Sequence, residues 1–184
     1  PTEYCLLTMA REACFDAKGI DEEYFRNSME RLEEIPFDSD RKLMSSKYLV
    51  HGVPTVFTKG ALDVLLDRTV RIMTSQGVRD ITKQDKEKIL KQNEEFSRSG
   101  LRVLAFAYKE LSSEESLITT GENNYTFIGL ASMVDPPRPE SMAAVADAKS
   151  AGIKPVMITG DHKVTATAIA RQIGIYEEGD LALT

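Results

Sequence analysis

The run Pro155-Val156-Met157-Ile158, apolar after Lys154, stops at Thr159-Gly160-Asp161, and a helical pattern follows. A glycine at a strand end lets backbone approach a ligand, and the next helix start presents free N–H groups to an anion. Ligands of open α/β sheets sit at such carboxyl ends. The chemistry suggested is phosphate handling, although Asp161 serves equally as a helix N-cap. Lys59-Gly60-Ala61 sets an ammonium on a glycine turn before a helix, a way to aim a cation at a phosphate. A solvated strand-end lysine gives the same pattern. Asp135-Pro136-Pro137-Arg138 reads as a stiff hinge with a surface arginine. Asp38-Ser39-Asp40 has the spacing of a phosphatase nucleophile pair, but it falls in a polar turn.

The elements that position these residues follow from periodicity. Leu6, Leu7, Ala10, Ala13, Cys14 and Ala17 form a helical stripe, capped by Thr2 and ended by Gly19, with a shorter helix from Asp21. Residues 29–35 and 42–50 read as strands, and His51-Gly52-Val53-Pro54 as a hairpin turn into a strand at 55–59. A helix follows Gly60. Residues 83–98 read as a solvated helix with Ile89, Leu90 and Phe96 turned inward. The nearly apolar stretch 101–108 predicts a strand covered on both faces, and 125–134 another buried strand. After the prolines the order becomes helix 140–151, strand 153–158, helix 162–173, which predicts a parallel sheet. The fold class expected is an α+β domain with a mixed, mainly antiparallel sheet and flanking helices, followed by a partial α/β Rossmann-like segment. The proline cluster divides them into domains at 1–134 and 135–184.

Composition excludes several classes. A net charge of -6 and a pI near 5.1 lack the basic footprint of a nucleic-acid binder. No run approaches the ~18 apolar residues of a membrane span, so the chain itself is expected to be soluble. Cys5 and Cys14 stand nine residues apart on one helix. That is roughly 13 Å at about 1.5 Å per residue, too far for a disulfide; both are expected to be buried, reduced thiols in a cytosolic setting. No metal-ligand spacing occurs, and no metal-binding residue is expected. The first residue is Pro1, so the chain is expected to be a fragment of a longer one, and a monomer is expected.

The order of the motifs is more specific than any one of them. "PTE" at 1–3, "FDSDRKLMS" at 37–45, "KGA" at 59–61, "GLRVLAFA" at 100–107, "DPPR" at 135–138 and "MITGDHKVTATAIARQIGI" at 157–175 follow one another. This succession resembles the cytoplasmic catalytic region of P-type cation-transporting ATPases, the type II branch of calcium and sodium/potassium pumps. The resemblance covers essentially the whole chain and implies a nucleotide-binding domain followed by the start of a haloacid dehalogenase-type phosphorylation domain.

By this resemblance Glu3 contacts the adenine amino group and Phe37 stacks on the base. Lys42 lies beside the nucleotide, and Lys59, with Gly60 and Ala61, deep in the adenine pocket. Arg102 reaches the phosphates and Leu104 makes an apolar contact. Asp135 and Arg138 belong to the interdomain hinge. Thr159, Gly160 and Asp161 stand near the transferred γ-phosphate and Mg²⁺. The implied ligand is ATP, with Mg²⁺ in the complete pump. The implied partners are the phosphorylation, actuator and transmembrane parts of the same chain, at the cytoplasmic face of a membrane.

The sequence contains neither Asp-Lys-Thr-Gly, which carries the phosphorylated Asp in this family, nor Gly-Asp-Gly-Val-Asn-Asp. The expected behaviour is therefore ATP binding without turnover. Two positions depart from the family pattern. Ser39 stands where calcium pumps usually carry a basic residue, and Leu62-Asp63 replaces the usual Pro-Glu after "KGA". The alternatives are a free-standing haloacid dehalogenase-type phosphatase using Asp38 and Asp40, and a non-catalytic interaction module.

Overall fold

Alternation along three strands decides which sheet face holds the core. The computed structural model describes residues 2–12, 22–112, 114–134, 137–160 and 163–183. Two compact units emerge: Pro1–Lys83 with Leu104–Ala131, and Gln84–Val103 with Ser132–Thr184.

The first unit opens with helices α1 (Thr2–Ala10) and α2 (Glu22–Ser28). Strands β1 (Glu30–Ile35), β2 (Leu43–Val50) and β3 (Val53–Gly60) follow, then helix α3 (Leu62–Asp67) and strands β4 (Thr69–Thr74) and β5 (Gly77–Asp80). After helix α4 (Lys83–Arg98), which falls almost wholly in the second unit, the chain continues with β6 (Arg102–Glu110), the short helix α5 (Leu117–Thr120) and β7 (Tyr125–Met133). The sheet has seven strands in the order β1-β2-β3-β6-β7-β4-β5. Neighbours β1–β2, β2–β3, β3–β6 and β4–β5 pair antiparallel, and β4–β7 pair parallel. The expected mixed, mainly antiparallel sheet is therefore present. The β4–β5 hairpin was not anticipated from the sequence. Its signal is the β-branched Thr69-Val70 and Ile72 ahead of a tight turn whose Gly77 has φ +112°.

The register aligns Leu43, Ser45 and Lys47 with Gly60, Thr58 and Val56, and these with Ala105, Ala107 and Lys109. All nine are buried. On the opposite face Met44, Ser46, Tyr48, Lys59, Phe106 and Tyr108 are half-buried and Phe57 is exposed. β6 is thus buried on one face, not two. Its apolar residues on the open face form part of an aromatic row, with Tyr48, Phe57 and Tyr108 ring centroids 6.3 and 6.5 Å apart in sequence.

Two lysines lie on the core face, where an unpaired charge would be costly. Lys47 Nζ donates to Glu33 Oε1 at 2.8 Å and to the Glu115 carbonyl at 2.6 Å. Lys109 donates to the Gly121 carbonyl and lies 5.4 Å from the centre of the Tyr125 ring. Burial lowers the Lys109 pKa, against the pull of Glu115 and Glu122.

Glu33 ties β1 to α5. It accepts from Ser116 Oγ at 2.7 Å and Leu117 N at 3.0 Å as well as from Lys47. The Lys47 bond, then the Ser116 bond, hold its carboxyl below the ordinary 4.5. A depressed carboxylate pKa means the unfolded chain binds more protons in the window beneath 4.5, so stability rises with pH there. Wild type is expected to be more stable than Glu33→Gln at pH 7. That gap should close as the pH falls below 4.5 through the folded-state pKa, which thermal unfolding from pH 7 to 3 will show.

Within the second unit, α4, α6 (Pro139–Ser150) and α7 (Lys163–Gln172) form as the periodicity predicts, with Pro139 at the start of α6. No residue of α4 is buried, however, and Leu90 is exposed. The expected strand at 153–158 is absent. No described segment pairs with it, and Ile158 is 92% exposed. Apolar composition supplies a face to bury, but a strand also needs a neighbour to complete its backbone hydrogen bonds. No parallel sheet forms among the described residues of this unit. Cys5 is exposed, not buried, and Cys14 lies outside the described residues.

Candidate functional site

Lys42 meets Lys59-Gly60-Ala61 at the β2–β3 end, where Lys59 and Gly60 are the last residues of β3 and not the expected glycine turn. Lys42 has a left-handed backbone, φ +57°, and its carbonyl accepts from Ala61 N at 3.1 Å. Gly60 lies so close that a Cβ there would stand 2.2 Å from the Lys42 carbonyl oxygen and 2.8 Å from Leu43 Cδ2. This glycine is required by close approach. Lys59 pairs across the ladder with Met44 on one side and Phe106 on the other, on the open face of the sheet. Leu104, two residues before Phe106 on β6, shares that face by alternation. Lys42 Nζ lies 3.6 Å from Asp63 Oδ2, both solvent-exposed. The shortened acid after "KGA" thus still meets the motif lysine.

Phe37 sits on the turn that leads into Lys42 and is 62% exposed, an aromatic presented to solvent. The Asp38 carboxylate shapes the turn, accepting from Asp40 N at 3.0 Å and Arg41 N at 2.9 Å, while Lys42 N donates to the Asp38 carbonyl at 2.7 Å. Asp38-Ser39-Asp40 is therefore a turn between antiparallel strands, with the Asp38 carboxylate engaged by backbone. A phosphatase nucleophile pair at the end of a parallel strand does not match this geometry.

A buried polar network that sequence reasoning missed underlies the turn. Glu122 Oε1 accepts from Arg41 and from Ser45 Oγ, and Arg68 Nη1 lies 3.5 Å from Glu122 Oε2. Ser45 and Thr58 share a 2.7 Å hydrogen bond, and Thr58 Oγ1 donates to Tyr125 Oη at 2.9 Å. Burial raises the Tyr125 phenol above its ordinary 10.0, opposed by its bonds to Thr58 and Ser45. Arg41 adjoins Lys42 and was visible as part of the motif. Glu122 lies 81 residues away, and no local signal connects it.

The other expected site residues fall as follows. Glu3 lies in α1. Arg102 opens β6 and is exposed, and Arg138 is the exposed residue preceding α6. Thr159 and Gly160 are exposed and line a cleft of about 1110 Å³ within the second unit, together with Lys163 and apolar Val156 and Ile158. Asp135 and Asp161 lie outside the described residues. Among the described residues no group of three or more His, Cys, Asp or Glu could hold a metal ion. No described helix is long and apolar enough to cross a membrane.

Comparison with known proteins adds an independent line. A family model described as P-type ATPase, cytoplasmic domain N, matches residues 1–140. The chain is 46% identical over 185 residues to calcium-transporting ATPase 1 of Lactococcus lactis, spanning 100% of this chain and 20% of that protein. It is 40% identical over 185 residues to a calcium-transporting ATPase of Listeria monocytogenes, again 100% of this chain and 20% of that protein. It is 42% identical over 178 residues to calcium-transporting ATPase 1 of Bacillus cereus, covering 97% of this chain and 20% of the relative. The chain thus spans about a fifth of the length of these relatives.

Proposed function

This chain belongs to the family of the P-type ATPase cytoplasmic domain N, and from that premise we propose that it is the ATP-binding cytoplasmic region of a cation pump. The observation that carries the reading is the meeting of Lys42 with Lys59-Gly60-Ala61, with the exposed Phe37 on the turn that leads into Lys42. An open aromatic and two lysines suit a nucleotide: the ring would stack on the base, Lys42 would lie beside the nucleotide and Lys59 deep in the adenine pocket. Leu104 on the same face supplies an apolar contact. Glu3 would accept from the adenine amino group, and Arg102 would meet the phosphates.

The complete pump would hydrolyse ATP through an aspartyl-phosphate to drive cation transport. The names of the relatives point to calcium as the ion. Asp135 and Arg138 would form the hinge into a phosphorylation domain of haloacid dehalogenase type. Thr159, Gly160 and Asp161 would face the γ-phosphate there. The apolar run at 153–158 would become a strand once paired with a neighbour. Mg²⁺ would enter with ATP. Phosphoryl transfer of this kind depends mainly on positioning and charge stabilisation. The residues of this chain would hold and orient the nucleotide. The partners would be ATP and the remaining domains of the same pump, with this region on the cytoplasmic side.

Equilibrium dialysis against ATP labelled at the γ position tests the proposal. Saturable retention is expected with no label surviving acid precipitation, because the sequence contains no Asp-Lys-Thr-Gly. Absence of retention contradicts ATP binding. Stoichiometric acid-stable label contradicts the assignment of the nucleophile to another part of the pump.

A further inference from the structure

We infer that Glu122 is a positioning residue for the turn that presents Phe37. The inference rests on the nucleotide reading above. Residues 36–42 join β1 to β2 without helix or strand of their own, so their shape depends on turn hydrogen bonds and side-chain ties. Asp38 fixes the tip. Arg41 fixes the base: its Nη2 donates to the carbonyl of Pro36, immediately before Phe37, and its Nη1 to Glu122 Oε1. One planar guanidinium therefore grips the backbone beside the stacking ring and the body of the unit at once. A lysine cannot reproduce this two-headed reach.

Glu122 is well placed as the anchor. Its side chain is 6% exposed, against 21% for Arg41 and 35% for Arg68. Arg68 also donates to its backbone carbonyl at 3.3 Å. Through Ser45 and Thr58 the carboxylate is continuous with the buried face of the sheet. A buried carboxylate held by two guanidiniums and a hydroxyl is rigid, and it transmits that rigidity to the arginine. Removing its charge should leave the strands in register while releasing one head of Arg41, so that the Phe37 turn samples conformations that do not stack.

A double-mutant cycle with ATP as the probe tests this. ATP affinity is measured for wild type, Phe37→Ala, Glu122→Gln and the double variant, with thermal unfolding confirming that each is folded. Glu122→Gln is expected to weaken ATP binding by about tenfold, within the range that loss of base stacking allows. In the Phe37→Ala background the same change should have no further effect, since couplings expose residues that act through one another. An equal loss in both backgrounds, or no loss in either, would overturn the positioning role while leaving the nucleotide reading intact. If wild type does not bind ATP, or Phe37→Ala binds as wild type does, the nucleotide reading fails and the inference with it. Should Glu122→Gln not fold, Arg41→Lys enters the same cycle. It keeps the charge at a partly exposed position and should show the same dependence on Phe37; independence there overturns the inference.

Discussion

Phe37→Ala is expected to weaken ATP binding by about tenfold or more while leaving the unfolding midpoint within about 2 °C of wild type. The two halves of this result have separate causes. The ring is 62% exposed, so its truncation removes little buried surface and opens no core cavity. Stacking of a base on an aromatic is worth roughly 1–3 kcal/mol by alanine substitution, which corresponds to about five- to 150-fold in affinity. Titration of both proteins with ATP, beside thermal unfolding of each, separates the effects. Unchanged affinity would favour an interaction module that has kept the fold without the ligand. A large fall in midpoint would mean that Phe37 is a packing residue.

Gly60→Ala is expected to damage both stability and binding. Its Cβ would lie 2.2 Å from the Lys42 carbonyl oxygen, a backbone atom fixed by its bond from Ala61 N. Relief requires the β2 and β3 ends to part, because no rotamer change moves that oxygen. Overpacking of this kind costs typically about 1–3 kcal/mol, and for a chain of this size that is a fall of roughly 2–12 °C in midpoint. Parting the strands would also lift Lys42 away from Lys59-Gly60-Ala61, so ATP affinity should drop in the variant that remains folded at low temperature. Thermal unfolding and ATP titration at 10 °C report the two losses. A variant with wild-type midpoint and affinity would show that the close approach is unimportant.

Local pattern carried most of the first unit. Strands at 29–35, 42–50 and 55–59 lie within a residue or two of β1, β2 and β3, as does the helix at 83–98 with α4 of the second unit. Their alternation and periodicity are set by which face is buried, a property of neighbouring residues. The turn at Asp38-Ser39-Asp40 was equally legible, because Asp closes such turns on its own backbone. What escaped depended on distance in sequence. The apolar run at 153–158 resembles a strand in composition, yet pairing comes from another segment. The Glu122 anchor joins residues 81 positions apart, and Glu122 itself sits in a polar stretch that reads as an ordinary loop. Of the candidate site, Phe37, Lys42 and Lys59-Gly60-Ala61 were readable as motifs; the network beneath the Phe37 turn was not.

The most direct test of the central claim is an amide-resolved titration of this chain with ATP. Binding at the proposed site predicts saturable shifts clustered at Phe37, Lys42, Lys59, Gly60 and Leu104, all fitting one dissociation constant. Shifts that fail to saturate, or that cluster elsewhere and leave these residues unmoved, would contradict it.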